Sequence, residues 1–447
     1  MNANVADAST LKRQQIMDAL RRGNVPRKGL ELYAVGMDRF EKAIDGELGL
    51  ASATGGGFKA IRGEYGAGKT FFARWLEHRA LQQGFATAVV QVAEDTPLYR
   101  METIYRRALE NLQTREWETG AFRSLVQRWF YALEEEAIAD GISEQDAEAL
   151  SQAVGEKLEK RLVRVSSVQP QYAAALRAMH TATLRGDAAI ADGLLGWLMA
   201  QPNVGADAKR AAGLKGDIDH HGATGSLRGL LELLRQTGRK GLVLVLDECE
   251  TIQRVRSDLR DKSLNALRQL IDDVSAGTFH GLYVVITGTT QFFEGPQGIR
   301  RLPPLADRLH TDFSGDARFD NAKAPQIRLT PFDQDRLVDV GRRVRAIYPA
   351  EAPERIAAKV TDDILSMLAR GVTGTLGQKV GIAPRLFLRK LVIELLDKVD
   401  QHADYEPTRH FKLVVDAAEL SAEERVAAGI ERTAAEIAGT PEPEPLP

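Results

Sequence analysis

Two stretches of this chain combine residue types and spacings that could do chemistry on a phosphate. The first is Gly63-Glu64-Tyr65-Gly66-Ala67-Gly68-Lys69-Thr70, followed by Phe71, which fits the phosphate-loop pattern G-x-x-x-x-G-K-[ST] at every position. Glycines let backbone N–H groups turn inward around phosphate oxygens, and a following helix adds the positive end of its dipole. In such a loop Lys69 reaches the β- and γ-phosphates of ATP and the Thr70 hydroxyl ligates Mg2+. Glu64 and Tyr65 are expected on the outside of the loop, with no side-chain role evident. The second stretch is Leu242-Val243-Leu244-Val245-Leu246-Asp247-Glu248, an aliphatic run that ends in two carboxylates. Such a pair is costly at the end of a buried strand unless it meets a cation or water. Asp247 is the expected Mg2+ ligand, and Glu248 the group that orients or deprotonates an attacking water.

Other candidates are single residues. In Thr287-Gly288-Thr289-Thr290, a polar side chain at a strand tip could hydrogen-bond the attacking water or the γ-phosphate, and Thr289 is preferred to Thr287. An ordinary turn rich in threonine is the rival. Arg308 lies ahead of the apparent last strand, Gln326–Leu329, where an arginine can reach a neighbouring subunit's γ-phosphate; Arg300 and Arg301 compete for that role. Arg385, in Gly381-Ile382-Ala383-Pro384-Arg385, could fold back onto the γ-phosphate or be a surface arginine. Cys249 reads as a small residue packed behind the carboxylates.

The elements that must position these residues can be read around them. Residues 58–61 read as a strand, Thr70–Gln82 as a helix ending at Gly84, and Thr87–Val92 as a buried strand. From Pro97 to Lys240 only helices are found: Met101–Leu112, Ala121–Ala139, Glu144–Leu162, Gln171–Thr183, Ile190–Met199 and Leu227–Gln236. Leu125, Trp129, Phe130 and Leu133 have the helical spacing of a core face. Ser257–Ser275 reads as a charge-rich helix and Gly281–Ile286 as another buried strand. Beyond Pro331, helices are expected at Asp333–Ile347, Ala352–Ala369 and Ala383–Val399, then an extended piece to Val415, a helix at Ser421–Ile437 and a disordered Pro-Glu tail. A helix is also expected at Leu11–Arg22, and another at Met37–Glu47. The stretch between them either covers an adenine base or is a surface linker.

The expected organisation is therefore a lead-in (1–36), an α/β core (37–96 and 241–331), a helical insertion (97–240), a helical lid (332–400) and an extension (401–447). At 447 residues, with 44% hydrophobic and 27% charged side chains, the chain can bury a sizeable core, which excludes a disordered protein. A net charge of −3 neither demands nor excludes nucleic acid. The one cysteine excludes an intrachain disulfide and a multi-cysteine zinc site. No apolar run approaches the roughly 18 residues of a membrane span, and no signal-peptide h-region is apparent, so a cytoplasmic protein without membrane contact is expected.

The order of P-loop, Asp-Glu strand end, strand-tip threonine, arginine before the last strand and helical lid with G-x-x-x-R resembles the AAA+ ATPases, closest to the branch of origin-recognition and clamp-loader proteins. That resemblance implies a three-layer α/β sandwich with a five-stranded parallel sheet in the order 5-1-4-3-2, and ATP with Mg2+ between core and lid. The phrases RRGNVPRKGLELYAVGMDRFE, FKAIRGEYGAGKTFFARWLEHRA and VLVLDECE resemble more closely the BrxD-like ATP-binding proteins of bacterial phage-exclusion (BREX-type) defence. By that likeness the chain would work beside a helicase or other large effectors on DNA. Origin-recognition relatives carry a winged-helix domain after the lid, for which the roughly 48 residues beyond Val399 are too few. Any DNA contact would thus come from the insertion, a basic strip on the core or a partner.

Three functions compete. The leading one is an ATPase switch that assembles with copies of itself, Arg308 acting in trans. The second is a nucleotide-dependent scaffold with little turnover. The third is a signalling ATPase whose insertion senses a ligand.

Overall fold

Residues 8–375, 384–412 and Arg425 are described in the computed structural model of the chain. The strands are β1 (Gly56–Arg62), β2 (Ala86–Gln91), β3 (Leu242–Asp247), β4 (Leu282–Gly288) and β5 (Gln326–Arg328). They form one all-parallel sheet in the order β2-β3-β4-β1-β5, which is the order the resemblance implies. Ala86 sits opposite Leu242 and Gln91 opposite Asp247, while Leu242 faces Leu282 across the next pair. Every residue of β3 and of β4 is buried, as continuous aliphatic runs require when both faces of a sheet are covered.

The described chain forms two compact units. The larger holds Glu41–Ile61 and Leu76–Ile327, and so nearly all of the sheet. Between β2 and β3 run only helices: α4 (Met101–Glu110), α5 (Ala121–Ala139), α6 (Ala147–Val168), α7 (Pro170–Leu184), α8 (Ala188–Leu198), α9 (Ala206–Ala211) and α10 (His220–Gln236), numbered after α1–α3 below. Leu125, Trp129 and Leu133 on α5 are buried, at the spacing that marks the inner face. The Tyr105 hydroxyl donates to Leu198 O at 2.9 Å, and Trp197 Nε1 donates to Gly216 O at 3.0 Å, so two large aromatics satisfy their polar ends inside this helical layer. After β3 follow α11 (Ser257–Ser275), α12 (Thr290–Glu294) and α13 (Pro303–Arg308).

The smaller unit holds the described residues of Met1–Phe40, Arg62–Trp75 and Arg328–Pro447. Its helices include α1 (Thr10–Arg21), the first half of α3 (Lys69–Gln82), α14 (Gln334–Ile347), α15 (Pro353–Lys359), α16 (Asp362–Thr375) and α17 (Pro384–Lys390); α17 continues helically to Gln401. Arg21 grips Asp397 with two hydrogen bonds of 2.8 Å, and the Tyr348 hydroxyl donates to the same carboxylate at 2.9 Å. Gly341 lets α14 approach its neighbours closely, since a Cβ there would lie 3.1 Å from Phe387 and 3.3 Å from Leu365.

Some boundaries differ from expectation for physical reasons. Helix α2 (Asp38–Thr54) runs past Gly46 and Gly49, which do not break it. Helix α10 starts seven residues earlier than Leu227, where Asp219 caps it by accepting Gly222 N–H at 2.7 Å. The expected helix Ala352–Ala369 is two, α15 and α16, and α9 is a short helix in addition to those expected. A short helix, Pro407–His410, lies within the expected extended piece. Gly381, Ile382 and Ala383, the end of that extended piece and, apart from Arg425, the expected helix Ser421–Ile437 with the tail lie outside the described residues.

One buried charge fixes β1. Lys59, 1% exposed, donates to Glu47 at 2.7 Å and to the carbonyls of Ala322 and Ala324 at 3.2 and 2.6 Å, while Tyr283 donates to the other Glu47 oxygen at 2.6 Å. Burial lowers the Lys59 pKa, and Glu47 counteracts it. We expect Lys59→Met to lower unfolding free energy by about 2–4 kcal/mol, toward the lower part of the range for breaking a buried pair because Glu47 stays partly exposed. Urea denaturation checks this, and a loss below about 1 kcal/mol would exclude a structural role of that size.

Candidate nucleotide site

In the smaller unit, Gly63–Gly68 form the loop between β1 and α3. Gly66 (φ 77°) and Gly68 (φ 92°) take left-handed conformations that a side chain would strain. Gly63 is required for another reason: a Cβ would meet the Ala67 Cβ at 3.0 Å and Leu329 at 3.2 Å. By contrast, a Cβ on Gly68 would approach only Phe332, at 4.0 Å, so the loop faces open space there. Lys69 folds back along the loop, donating to Gly63 O at 2.9 Å and Glu64 O at 3.3 Å, with Nζ 5.1 Å from the centre of the Tyr65 ring. Tyr65 thus has a physical role absent from the sequence reading, a cation–π contact to the loop lysine. Glu64 and Thr70 are exposed, and the half-buried Phe71 meets the buried Tyr33 edge-on at 5.5 Å. Arg385 lies across the end of α1, where a Cβ on Gly23 would be 3.4 Å from its guanidinium.

In the larger unit, β3 delivers Asp247, 8% exposed, to the end of the sheet. The Thr287 hydroxyl on β4 donates to Asp247 Oδ1 at 2.5 Å and accepts the Glu248 N–H at 3.1 Å. The Glu248 side chain is exposed, its backbone is left-handed (φ 59°, ψ 42°), and Gln91 Nε2 donates to its Oε2 at 2.8 Å. The two threonines of this strand tip have different partners. Thr289 leaves the strand to cap α12, accepting Phe292 N–H at 3.3 Å, while Thr287 reaches the carboxylate. Gln91 was missed, although it is a polar residue ending a buried strand, directly in register with Asp247. Cys249 is fully buried, and burial pushes its thiol well up, so it packs as an apolar residue.

The three arginines near α13 differ in availability. Arg308 is clamped by Asp272, through Nε to Oδ1 and Nη2 to Oδ2, and donates to Pro304 O at 2.6 Å. Arg301 is held by Asp261 and by Ser257 Oγ at 2.8 Å. Arg300 is exposed and makes no hydrogen bond or ion pair among the described residues.

The donor set suits a hard cation. Asp247 offers a carboxylate oxygen of the kind Mg2+ takes when phosphates and water complete its shell. Among the described residues, no group of three or more His, Cys, Asp or Glu could hold a metal ion.

An all-parallel α/β sheet whose first strand enters a glycine loop with Lys-Thr at the following helix defines a P-loop-like nucleotide-binding protein. The family model for BREX system ATP-binding protein BrxC/D matches residues 8–415, and the chain belongs to that family. It is therefore a nucleotide-binding protein of BREX phage defence. No curated protein and no solved structure matches it. No helix among the described residues is long and apolar enough to cross a membrane.

The hydroxyl of Thr287 serves two partners, whereas that of Thr289 serves a cap. We expect Thr287→Val to cost about 1–3 kcal/mol by leaving the Asp247 oxygen and Glu248 N–H short of a partner. Thr289→Ala should cost about 0.5–2 kcal/mol, the usual loss of a cap. Only Thr287→Val should also weaken Mg2+-dependent nucleotide binding, and equal weakening by both, read by titration with and without Mg2+, would refute the distinction.

Proposed function

We propose that the chain is an AAA+ ATPase that hydrolyses Mg2+–ATP to switch or drive a DNA-associated assembly in bacterial anti-phage defence. The observation that carries this reading is the Asp247–Thr287–Glu248–Gln91 cluster. It places a buried, oriented carboxylate beside an exposed one, and it ends a strand parallel to the one that enters the P-loop. Ligands of open α/β sheets bind at that end of the strands. In this reading the loop N–H groups and Lys69 hold the phosphates, while Lys69 exchanges its carbonyl partners for phosphate oxygens. Bound through Thr70 and Asp247, Mg2+ would neutralise developing phosphate charge. Glu248 accepts the proton of the attacking water once Gln91 releases it. Residues 332–400 act as a lid, supported by the compact grouping of α14–α17 with the P-loop, and residues 97–240 are an insertion into the core.

Self-assembly supplies an arginine to the neighbour's γ-phosphate. Arg300 replaces Arg308 as the candidate, because Arg308 would first have to leave Asp272. Arg385 couples lid to nucleotide through the lead-in at Gly23, beside which it lies. A helicase or other defence protein, and DNA either directly or through that partner, complete the assembly.

The second reading, a nucleotide-dependent scaffold with little turnover, is favoured by one contact: Gln91 holds Glu248 in a left-handed, tethered state. ATPase rate against protein concentration separates the two, a steep rise marking an assembling enzyme and a flat, near-zero trace a scaffold. We expect Glu248→Gln to bind ATP normally and to lose about 10²–10⁴-fold in turnover, the usual worth of a general base; turnover at the wild-type rate would remove Glu248 from the chemistry. Lys69→Ala should lose nucleotide affinity, and unchanged binding would refute its phosphate role.

A further inference from the structure

At the opposite end of β3 from the carboxylates lies a second concave site, entirely within the larger unit. It is an open cavity of about 410 Å³ bordered by Arg164 on α6, Arg235 at the end of α10, Arg239 and Lys240 in the turn into β3, Glu232, and Ser52 near the end of α2. The length of β3, at about 3.3 Å per residue, separates this cavity from Asp247 by roughly 20 Å. It is therefore distinct from the nucleotide site.

The charge balance of the lining is one-sided. Among the described residues Glu232 is its one carboxylate, and it is already engaged: Oε2 takes Arg235 Nη1 at 3.2 Å and Oε1 takes Gln236 Nε2 at 3.1 Å. Arg239 is forked onto Glu116, with contacts of 3.1 and 2.7 Å, which fixes its guanidinium and leaves its buried Nε–H without an acceptor. Glu116 responds as the partner of a fixed cation, its pKa lowered chiefly by the Arg239 hydrogen bond. Arg164 and Lys240 are exposed and form no side-chain ion pair among the described residues. Four cations thus converge on one concavity against two committed carboxylates. With Arg235 and Arg239 paired, the charges of Arg164 and Lys240, without an ion pair among the described residues, are what a ligand of more than one negative charge would neutralise. Guanidinium forks match phosphate oxygens geometrically, and a phosphate group brings the multiple charge that a single carboxylate lacks.

We propose that this cavity is a phosphate-binding site, taking either a free polyphosphate anion or a phosphate of a nucleic-acid backbone. Both sources share the chemistry of clustered phosphate oxygens, and the test separates them. The protein carries Lys69→Ala throughout, so that the P-loop does not compete. Tripolyphosphate binding is read by calorimetry and binding of a fluorescein-labelled 20-base-pair duplex by anisotropy, with Arg164→Glu/Lys240→Glu compared against its parent. Both residues are exposed and form no side-chain ion pair among the described residues, and thermal unfolding reports whether the fold survives. Arg164→Gln/Lys240→Gln provides a milder second pair.

Loss of tripolyphosphate affinity by tenfold or more, with no duplex binding in the parent, assigns the site to a free anion. A similar loss of duplex affinity, with the salt slope reduced by about 2 for two lost phosphate contacts, assigns it to a nucleic-acid backbone. Affinities within twofold of the parent in both double variants, or no binding of either probe to the parent, would overturn the proposal.

Discussion

The constraint on which the larger unit depends is the burial of an anion at the end of β3. A strand buried along its whole length cannot finish in a carboxylate without paying for desolvation, and Thr287 meets that need with one hydroxyl that donates to Asp247 and accepts from Glu248. The arrangement works only if β3 and β4 are parallel neighbours with the register that sets Leu246 opposite Ile286. A shift of one residue would turn every inward side chain outward and separate hydroxyl from carboxylate. The polar contacts around Asp247 and the sheet register are thus one requirement in this part of the molecule.

The helical layer between β2 and β3 satisfies the same kind of demand by different means. Its aromatics are large enough to fill the space between helices, and Tyr105 and Trp197 pass their polar ends to main-chain carbonyls on neighbouring segments. These contacts tie loops as well as helices into the packed interior. Sequence neighbours alone cannot provide them: Tyr105 and Leu198 are 93 positions apart. The layer is therefore built by long-range contacts around a short-range helical pattern.

What was legible in the sequence follows that division between local and distant causes. The glycine loop and the aliphatic strand ending in Asp247-Glu248 could be read because each is contiguous and its chemistry dictates its residue types. Most helices from α4 to α10 were legible from apolar spacing, with differences at their ends: the Asp219 cap starts α10 ahead of its apolar face, which begins near Leu227. The different partners of Thr287 and Thr289 are not legible from spacing, because two residues along a strand share a face only while the strand continues. The chain leaves the sheet after Gly288, and Thr289 turns to cap a helix. Arg308 looked available because its partner, Asp272, lies 36 positions earlier. The contact of Gln91 with Glu248 depends on the register of β2 against β3, which the two strands' sequences do not state.

The left-handed backbone of Glu248 carries a cost independent of any ligand. A branched-chain or carboxylate residue there sacrifices on the order of 1–3 kcal/mol relative to glycine, which adopts φ 59° without strain. Stability alone would therefore favour glycine at this position, and a selection for heat resistance without a demand for function should drift toward it. The glutamate marks a place where this fold gives up robustness to keep one carboxylate at the surface, so a thermostabilised descendant that retains activity must gain its margin elsewhere.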